Sequence, residues 1–241
     1  MVILRFLGEG PQDVGPSTEE CDSESVERQG CIPHFVENLL NVRRRSPVIF
    51  AREKDYLPRL HLESRRARGR PRRGYKAKVR AAIVQAHEDQ IDGIVIVVDE
   101  PASRESRRLP RLQAGRDEAR QDGVMTPCAL GVAIQEIEAW LLADGRARAK
   151  HLGKAGRRPL PAHPERIPNP RSLFSGLYGE HRSQCESEGS HVPPEWRVKE
   201  SCAIDARVRV LEDGCPAGFA PFAEEVRREI AHTLFPRRRR G

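Results

Sequence analysis

Ile94-Val95-Ile96-Val97-Val98 runs directly into Asp99-Glu100, and at the start of the chain Val2-Ile3-Leu4-Arg5-Phe6-Leu7 runs into Gly8-Glu9-Gly10 in the same way. Both runs are short and nearly continuous in apolar character, the pattern of a strand buried on both faces of a parallel sheet. In open α/β sheets the ligand crevice lies beyond the carboxyl ends of the strands. Acids delivered to that edge sit close together. Two carboxylates ~5 Å apart at an effective dielectric of about 20 repel by roughly 3 kcal/mol. A fold carries that repulsion if one acid is protonated or if a cation lies between them. A divalent metal is the sharper expectation.

Outward from these runs, strands alternate with helical patterns. Residues 46–51 and 129–134 read as further strands, and Ile32, Phe35, Val36, Leu39 and Leu40 share one helical face. A helix is predicted over 76–88, with Val79, Ile83, Val84 and His87 along one side. A basic, partly helical crossover follows over 103–121, interrupted by Pro110, and another helix surrounds 136–144. The expected class is α/β: a Rossmann-like parallel sheet flanked by helices, with right-handed crossovers, over residues 1–152. Within it, 16–30 reads as a disordered acidic insert and 64–75 as a basic loop. Beyond Leu152, Pro159, Pro161, Pro164, Pro168 and Pro170 punctuate a linker. A smaller, mainly helical region completes 153–241, with helices predicted at 170–177, 203–211 and 219–234 and a basic tail at Arg237–Arg240.

Composition narrows the partners. Lys and Arg number 42 against 35 Asp and Glu, a net charge of +7 that suits nucleic acid. No run approaches the eighteen or so apolar residues of a membrane span, and Met1–Leu7 lacks the basic start of a signal peptide. The six cysteines show no CxxC pair or zinc-type spacing, so they read as reduced thiols of a cytoplasmic protein.

Three segments bring acids to one sheet edge. Glu9 and Asp13 are four apart across a Gly-flanked turn, where Gly10 lets the backbone bend and leaves room for a ligand. Asp99 and Glu100 form the second segment. In the third, Gln135-Glu136-Ile137-Glu138-Ala139-Trp140-Leu141-Leu142, Glu138 falls within the apolar arc of Ile134, Ile137, Leu141 and Leu142, and so needs a buried partner. Glu136 directly follows a strand end. Hard oxygen ligands suit Mg²⁺ or Mn²⁺. Any one of these acids taken alone also fits an N-cap for the next helix, and Asp144 reads as a helix terminator.

Gly8-Glu9-Gly10-Pro11-Gln12-Asp13 resembles the first TOPRIM motif, and Val97-Val98-Asp99-Glu100-Pro101 resembles the second, where the family carries Asp-x-Asp. Val132 to Asp144, with its Glu-Ile-Glu-Ala-Trp-Leu-Leu-Ala-Asp run, resembles the signature of a largely bacterial TOPRIM-like family of unknown function. Pro164-Glu165, Asn169-Pro170 and Gly218-Phe219 fit the C-terminal part of that family. This family is related to TOPRIM nucleases of the overcoming-lysogenization-defect type. The resemblance implies a TOPRIM-like fold, Mg²⁺-dependent phosphodiester chemistry, and a role in phage or plasmid defence beside an ATPase partner. It further implies that Glu9, Asp13 and Asp99 hold the metal, with Glu136 or Glu138 completing a second site and Glu9, Asp99, Glu136 and Glu138 carrying catalysis. Pro101 replaces the second Asp of the motif, and Glu100 or Glu105 is the acid that would substitute for it as a ligand, with Glu100 turned to the other face if the strand persists. That departure keeps open a degenerate module that binds nucleic acid or the ATPase without cleavage. Nucleotidyl transfer, as in primases, shares the same metal site.

Nine Lys or Arg occupy the sixteen positions from Arg65 to Arg80. They suit salt-sensitive, sequence-independent phosphate contacts. Arg68-Gly69-Arg70-Pro71 matches the core of an AT-hook, and Arg72 and Arg73 extend it. Arg104, Arg107, Arg108 and Arg111 recur at helical spacing after the Asp99 strand, which places positive charge where a phosphate backbone would approach. No aromatic residue interleaves with most of these runs, so stacking of single-stranded bases is not expected.

Overall fold

The computed structural model describes residues 2–15, 30–41, 50–56, 74–101 and 108–235. Both apolar runs are strands of one four-stranded parallel sheet. Its members are β1 (Val2–Gly8), β2 (Phe50–Tyr56), β3 (Gly93–Glu100) and β4 (Cys128–Ile134), in the order β2-β1-β3-β4. Alternation along each strand divides the side chains between two cores. Leu4, Phe6, Val95, Val97, Ala129 and Ala133 face one core, and Leu7, Ile94, Ile96, Val98, Cys128, Leu130 and Val132 face the other. β1 and β3 are central and covered on both faces, and their sequences are apolar apart from Arg5 and the terminal Asp99-Glu100.

After β1 come α1 (Pro11–Val14) and α2 (Cys31–Leu40), and α2 packs on the first face. α3 (Tyr75–Glu88) and α4 (Arg108–Gln121) flank β3 in sequence and cover the second. The chain therefore leaves β1 in one direction to reach β2 and returns past it in the other to reach β3. The β1–β3 boundary is the topological switch point. The crevice beyond the carboxyl ends of those two strands is where such sheets take ligands.

Three expectations about the sheet and its second face shift. The second strand is β2 at Phe50–Tyr56, later than predicted; residues 46–49 lie outside the described set. β2 gives no continuous apolar run because its sequence is charged from Arg52 to Asp55. On α3 the buried stripe is Val79, Ala82, Ile83 and Ala86, while Val84 is half-buried and His87 exposed. Gly115 allows close approach of α4, since a Cβ on it would stand 2.4 Å from the Lys76 carbonyl oxygen. Pro110 does not interrupt α4 but occupies its first turn, where backbone N–H groups have no intrahelical partner to lose. The acidic segment 16–29 falls outside the described residues.

The rest of the chain builds the first face. It comprises α5 (Glu138–Ala143), α6 (Gly145–Gly156), a 3-10 turn (Pro164–Arg166), α7 (Pro170–Ser187), α8 (Glu195–Asp205), α9 (Val208–Gly214) and α10 (Phe219–Glu225). α10 continues through a π-helical segment (Val226–Ala231) into α11 (His232–Leu234). The helix predicted over 203–211 is broken into α8 and α9 at Ala206–Arg207. Two side chains from elsewhere take over the freed backbone. Asn38 donates to the carbonyls of Ala203 (2.9 Å), Ile204 and Ala206 (3.3 Å each), and Asp144 accepts from the Arg207 N–H (2.9 Å). Asp144 also caps α6 by accepting from Arg146 and Ala147, which combines the expected stop with a new start. Trp140 of α5 stacks on Phe222 (centroids 5.4 Å) and meets Phe35 and Phe219 edge-on, joining α2, α5 and α10 in one aromatic cluster. Among the described residues no helix is long and apolar enough to cross a membrane.

Candidate functional site

Gly8-Glu9-Gly10 turns the chain out of β1, and Asp13 closes the turn from α1. Its Oδ2 accepts the backbone N–H groups of Glu9 (2.9 Å) and Gly10 (3.0 Å). A Cβ on Gly8 would stand 2.6 Å from the Asp13 Cβ, so the close approach needs glycine there. Burial pushes the Asp13 carboxyl up to about 7 despite those two hydrogen bonds, with Glu138 and Glu9 adding to the rise.

Glu9 points to the second face of the switch-point crevice. Its Oε1 accepts from the Tyr75 hydroxyl (2.8 Å) and from Arg108 Nη1 (3.1 Å). The Arg108 guanidinium lies 5.0 Å over the Tyr75 ring and also bonds the Asp99 carbonyl oxygen. Burial, then the bond to Glu9, pushes the Tyr75 phenol up to about 12, so it keeps its proton and donates it.

Asp99 lies on the strand position opposite Ala133, and Glu100 is opposite Ile134. Burial pushes Asp99 up to about 8. Asp13, Glu9 and Glu138 add to the rise, and Arg171 opposes it. Alternation sends Glu100 the other way: its Oε1 accepts the Arg108 N–H (3.2 Å) at the start of α4, the capping role open to any acid after a strand. At the end of β4, Gln135 takes a left-handed conformation (φ 68°) with its N–H bonded to the Glu100 carbonyl (2.7 Å). A non-glycine residue held there costs of order 1–3 kcal/mol, and such strain gathers at functional sites. The kink aims Glu136 at the first turn of α7, where it accepts the Arg171 N–H (3.0 Å) and pairs with its guanidinium (3.3 Å).

Glu138 is fully buried, as its place on the apolar arc predicts, and its partner is Lys199 of α8 (2.8 Å), itself 3% exposed. Burial pulls the Lys199 ammonium down, but Glu138 and Glu195 together outweigh it and hold it above its ordinary value. Arg171 Nε approaches the same Glu138 oxygen at 3.5 Å. The other oxygen, Oε2, is buried without a hydrogen-bond partner.

Glu9, Asp13, Asp99 and Glu136 therefore line one open cleft of about 570 Å³, together with Gly10, Pro101, Arg108, Gln135, Asn169 and Arg171. Among the described residues, no three acids, histidines or cysteines stand in an arrangement that would hold one ion. The chemistry of the donors is nonetheless that of a hard cation site. Its acids are all carboxylates, two of them driven toward neutrality, Gln135 and Asn169 add amide oxygens, and the fully buried Glu138, outside the lining, keeps one oxygen without a partner. Of the predicted acids, Glu9, Asp13, Asp99, Glu136 and Glu138 converge, Glu100 is turned away, and Glu105 lies outside the described residues. Of the predicted nucleic-acid contacts, Arg108 is at the cleft; Arg68, Arg70, Arg72, Arg73, Arg104 and Arg107 lie outside the described residues.

Tyr75, Arg171 and Lys199 belong to the cluster but were not among the predicted site residues. Asn169-Pro170 carried a signal for Arg171: Asn as N-cap (accepting from Ser172, 2.9 Å) and Pro in the first turn mark a helix start, which puts Arg171 beside it. Lys199 is 61 positions from Glu138 and had no local signal. Comparison with protein-family models, with characterised proteins and with solved structures returns no match.

Proposed function

We propose that the switch-point cleft is a Mg²⁺- or Mn²⁺-dependent phosphodiesterase site acting on DNA or RNA, a TOPRIM-like nuclease centre of the kind the sequence motifs resemble. The observation that carries this reading is the convergence of four carboxyl groups on one cleft, from the segments at the ends of β1, β3 and β4, with the buried Glu138 close enough to raise two of them. The fold holds two of them part-protonated and leaves one oxygen without a partner. Glu9, Asp13, Asp99 and Glu136 line the cleft and would have to close around the ion, since no three of them surround one position among the described residues, and Glu138 is the buried acid next to them in charge. A bound ion would neutralise charge on a phosphodiester and activate water. Arg108 positions Glu9 and adds positive potential at the cleft mouth, and Tyr75 fixes the Glu9 carboxylate from below. Defence against phage or plasmids, beside an ATPase, is the biological setting the resemblance implies.

The test is cleavage of circular DNA and of RNA with Mg²⁺ or Mn²⁺. Asp99→Asn and Glu9→Gln are expected to lose about a hundredfold or more, the scale of removing one transition-state electrostatic partner. Cleavage that survives in both folded variants removes the assignment.

A second reading is favoured by the arginines and the lysine. Arg108, Arg171 and Lys199 already pair with these acids, Asp13 closes a turn, and Pro101 stands where a further acid is expected. On that reading the cleft is a structural salt network in a module that binds nucleic acid or an ATPase. Calorimetric titration with Mn²⁺ separates the two, since a purely structural network takes up no ion.

A further inference from the structure

The three cations at the acidic cluster are held very differently. Lys199 is 3% exposed and bonded at 2.8 Å to Glu138 and 2.9 Å to Glu195, so it cannot leave without unpacking α8. Arg108 is fixed at 3.1 Å to Glu9, over the Tyr75 ring and against a carbonyl. Arg171 is 50% exposed, and its guanidinium spans Glu136, Glu138 and Asp99 at 3.3, 3.5 and 3.9 Å. All three distances exceed the roughly 2.7–2.9 Å of a good charge-assisted hydrogen bond. Its backbone, by contrast, is anchored: the N–H bonds to Glu136 and the residue sits in the first turn of an 18-residue helix. The side chain can swing out while its root stays in place.

What the guanidinium spans is also where the charge is least satisfied. Glu138 Oε2 is buried and unpartnered beside the oxygen Arg171 approaches. Among the described residues, six carboxyl groups face three cations when Glu195, which shares Lys199, is counted. Exchange of Arg171 for a divalent ion would lower by one the three negative charges left in excess when all six are ionised.

Building on the metal-dependent reading above, we infer that Arg171 is the resident counter-ion of this cluster and that a divalent cation and the Arg171 guanidinium exclude one another there. Entry of the ion drives the guanidinium outward. It is then free at the mouth of the cleft, on a rigid helix start, to pair with the anionic phosphodiester. Ion and substrate anion are thereby coupled through one side chain, which guards the acids until both are present.

The experiment is calorimetric titration of the full chain with Mn²⁺ alone, wild type against Arg171→Gln and Arg171→Lys. Removing the competitor in Arg171→Gln is expected to tighten Mn²⁺ binding roughly tenfold, within the usual range for two ligands coupled at one site. Arg171→Lys keeps the charge and is expected to stay near wild type. With Mn²⁺ saturating, Arg171→Gln is expected to bind a phosphorothioate dinucleotide more weakly than wild type does. Equal or weaker Mn²⁺ binding in Arg171→Gln overturns the exclusion while leaving the metal site intact. Absence of Mn²⁺ binding in all three proteins, with circular dichroism showing them folded, overturns the metal reading itself and this inference with it.

Discussion

At the scale of single residues, Asp99 and Asp13 stand apart because their surroundings favour the neutral form. Burial raises them to about 8 and about 7 in the folded protein, against an ordinary value of 3.8. The folded state thus binds more protons than the unfolded one between those limits. The stability that goes with it is fully present below the ordinary carboxyl range and is lost as pH rises through 7 and 8. Metal-free Asp99→Asn should therefore gain in melting temperature relative to wild type as pH is raised from about 6 to about 9, and a flat difference would contradict this. Ligands must be deprotonated to bind, so Mn²⁺ uptake should release protons, detectable as calorimetric heats that depend on the buffer's ionisation enthalpy. Lys199 makes a different prediction. Lys199→Met strips a fully buried Glu138 of its nearest cation and should cost about 3–5 kcal/mol in urea unfolding. Adding Glu138→Gln should recover much of it. The need for such a partner was legible, because the apolar arc through Ile137 and Leu141 puts Glu138 inside. Its identity was not, because it comes from a helix far along the chain.

At the scale of elements, small residues set how closely helices lie on one another. Gly115 of α4 lies against the Lys76 carbonyl, and a Cβ placed on it would also stand 2.9 Å from the Val79 Cβ. Gly115→Ala should push α3 and α4 apart and destabilise by about 1–3 kcal/mol, with the urea midpoint as the measure. Cleft chemistry should change little if α4 moves as a body, and Arg108 at its first turn reports whether it does. On α3 the periodicity finds Val79 and Ile83 but misplaces the rest of the stripe: it weights Val84 and His87 by type, whereas Ala82 and Ala86 are the residues buried. The break between α8 and α9 was hidden for a related reason. Nothing in residues 203–211 forbids a continuous helix; the interruption is imposed by Asn38 and Asp144. Strands β1, β3 and β4 were legible because burial on both faces writes a nearly continuous apolar run, broken in β1 by Arg5. β2, charged from Arg52 to Asp55, carries no such mark.

At the scale of the whole molecule, the order β2-β1-β3-β4 decides where chemistry is available. The reversal of winding between β1 and β3 opens the crevice into which Glu9 and Asp99 are delivered, and that edge was readable from two apolar runs ending in acids. The relation of residues 153–241 to the sheet was not readable, because a Pro-punctuated stretch looks like a linker in any context. In the structure the helices beyond it cover the sheet directly. A Cβ on Gly131 of β4 would stand 2.6 Å from the Phe222 ring, and one on Gly93 of β3 would stand 2.9 Å from Leu234 and 3.2 Å from Ile230. Trp140, on the same short helix as Glu138, is fully buried against Phe219 and Phe222. The sheet face of Leu4, Phe6, Val95 and Val97 would thus lose much of its cover without α10 and its continuation. The whole described chain should consequently unfold as one unit. Trp140 reports the sheet side and Trp196 the start of α8, so intrinsic fluorescence and far-ultraviolet ellipticity should trace the same urea transition. Phe222→Ala should shift both by about 3–5 kcal/mol together. Two separated transitions, with Phe222→Ala moving only one, would show instead that the C-terminal helices fold independently and merely rest against the sheet.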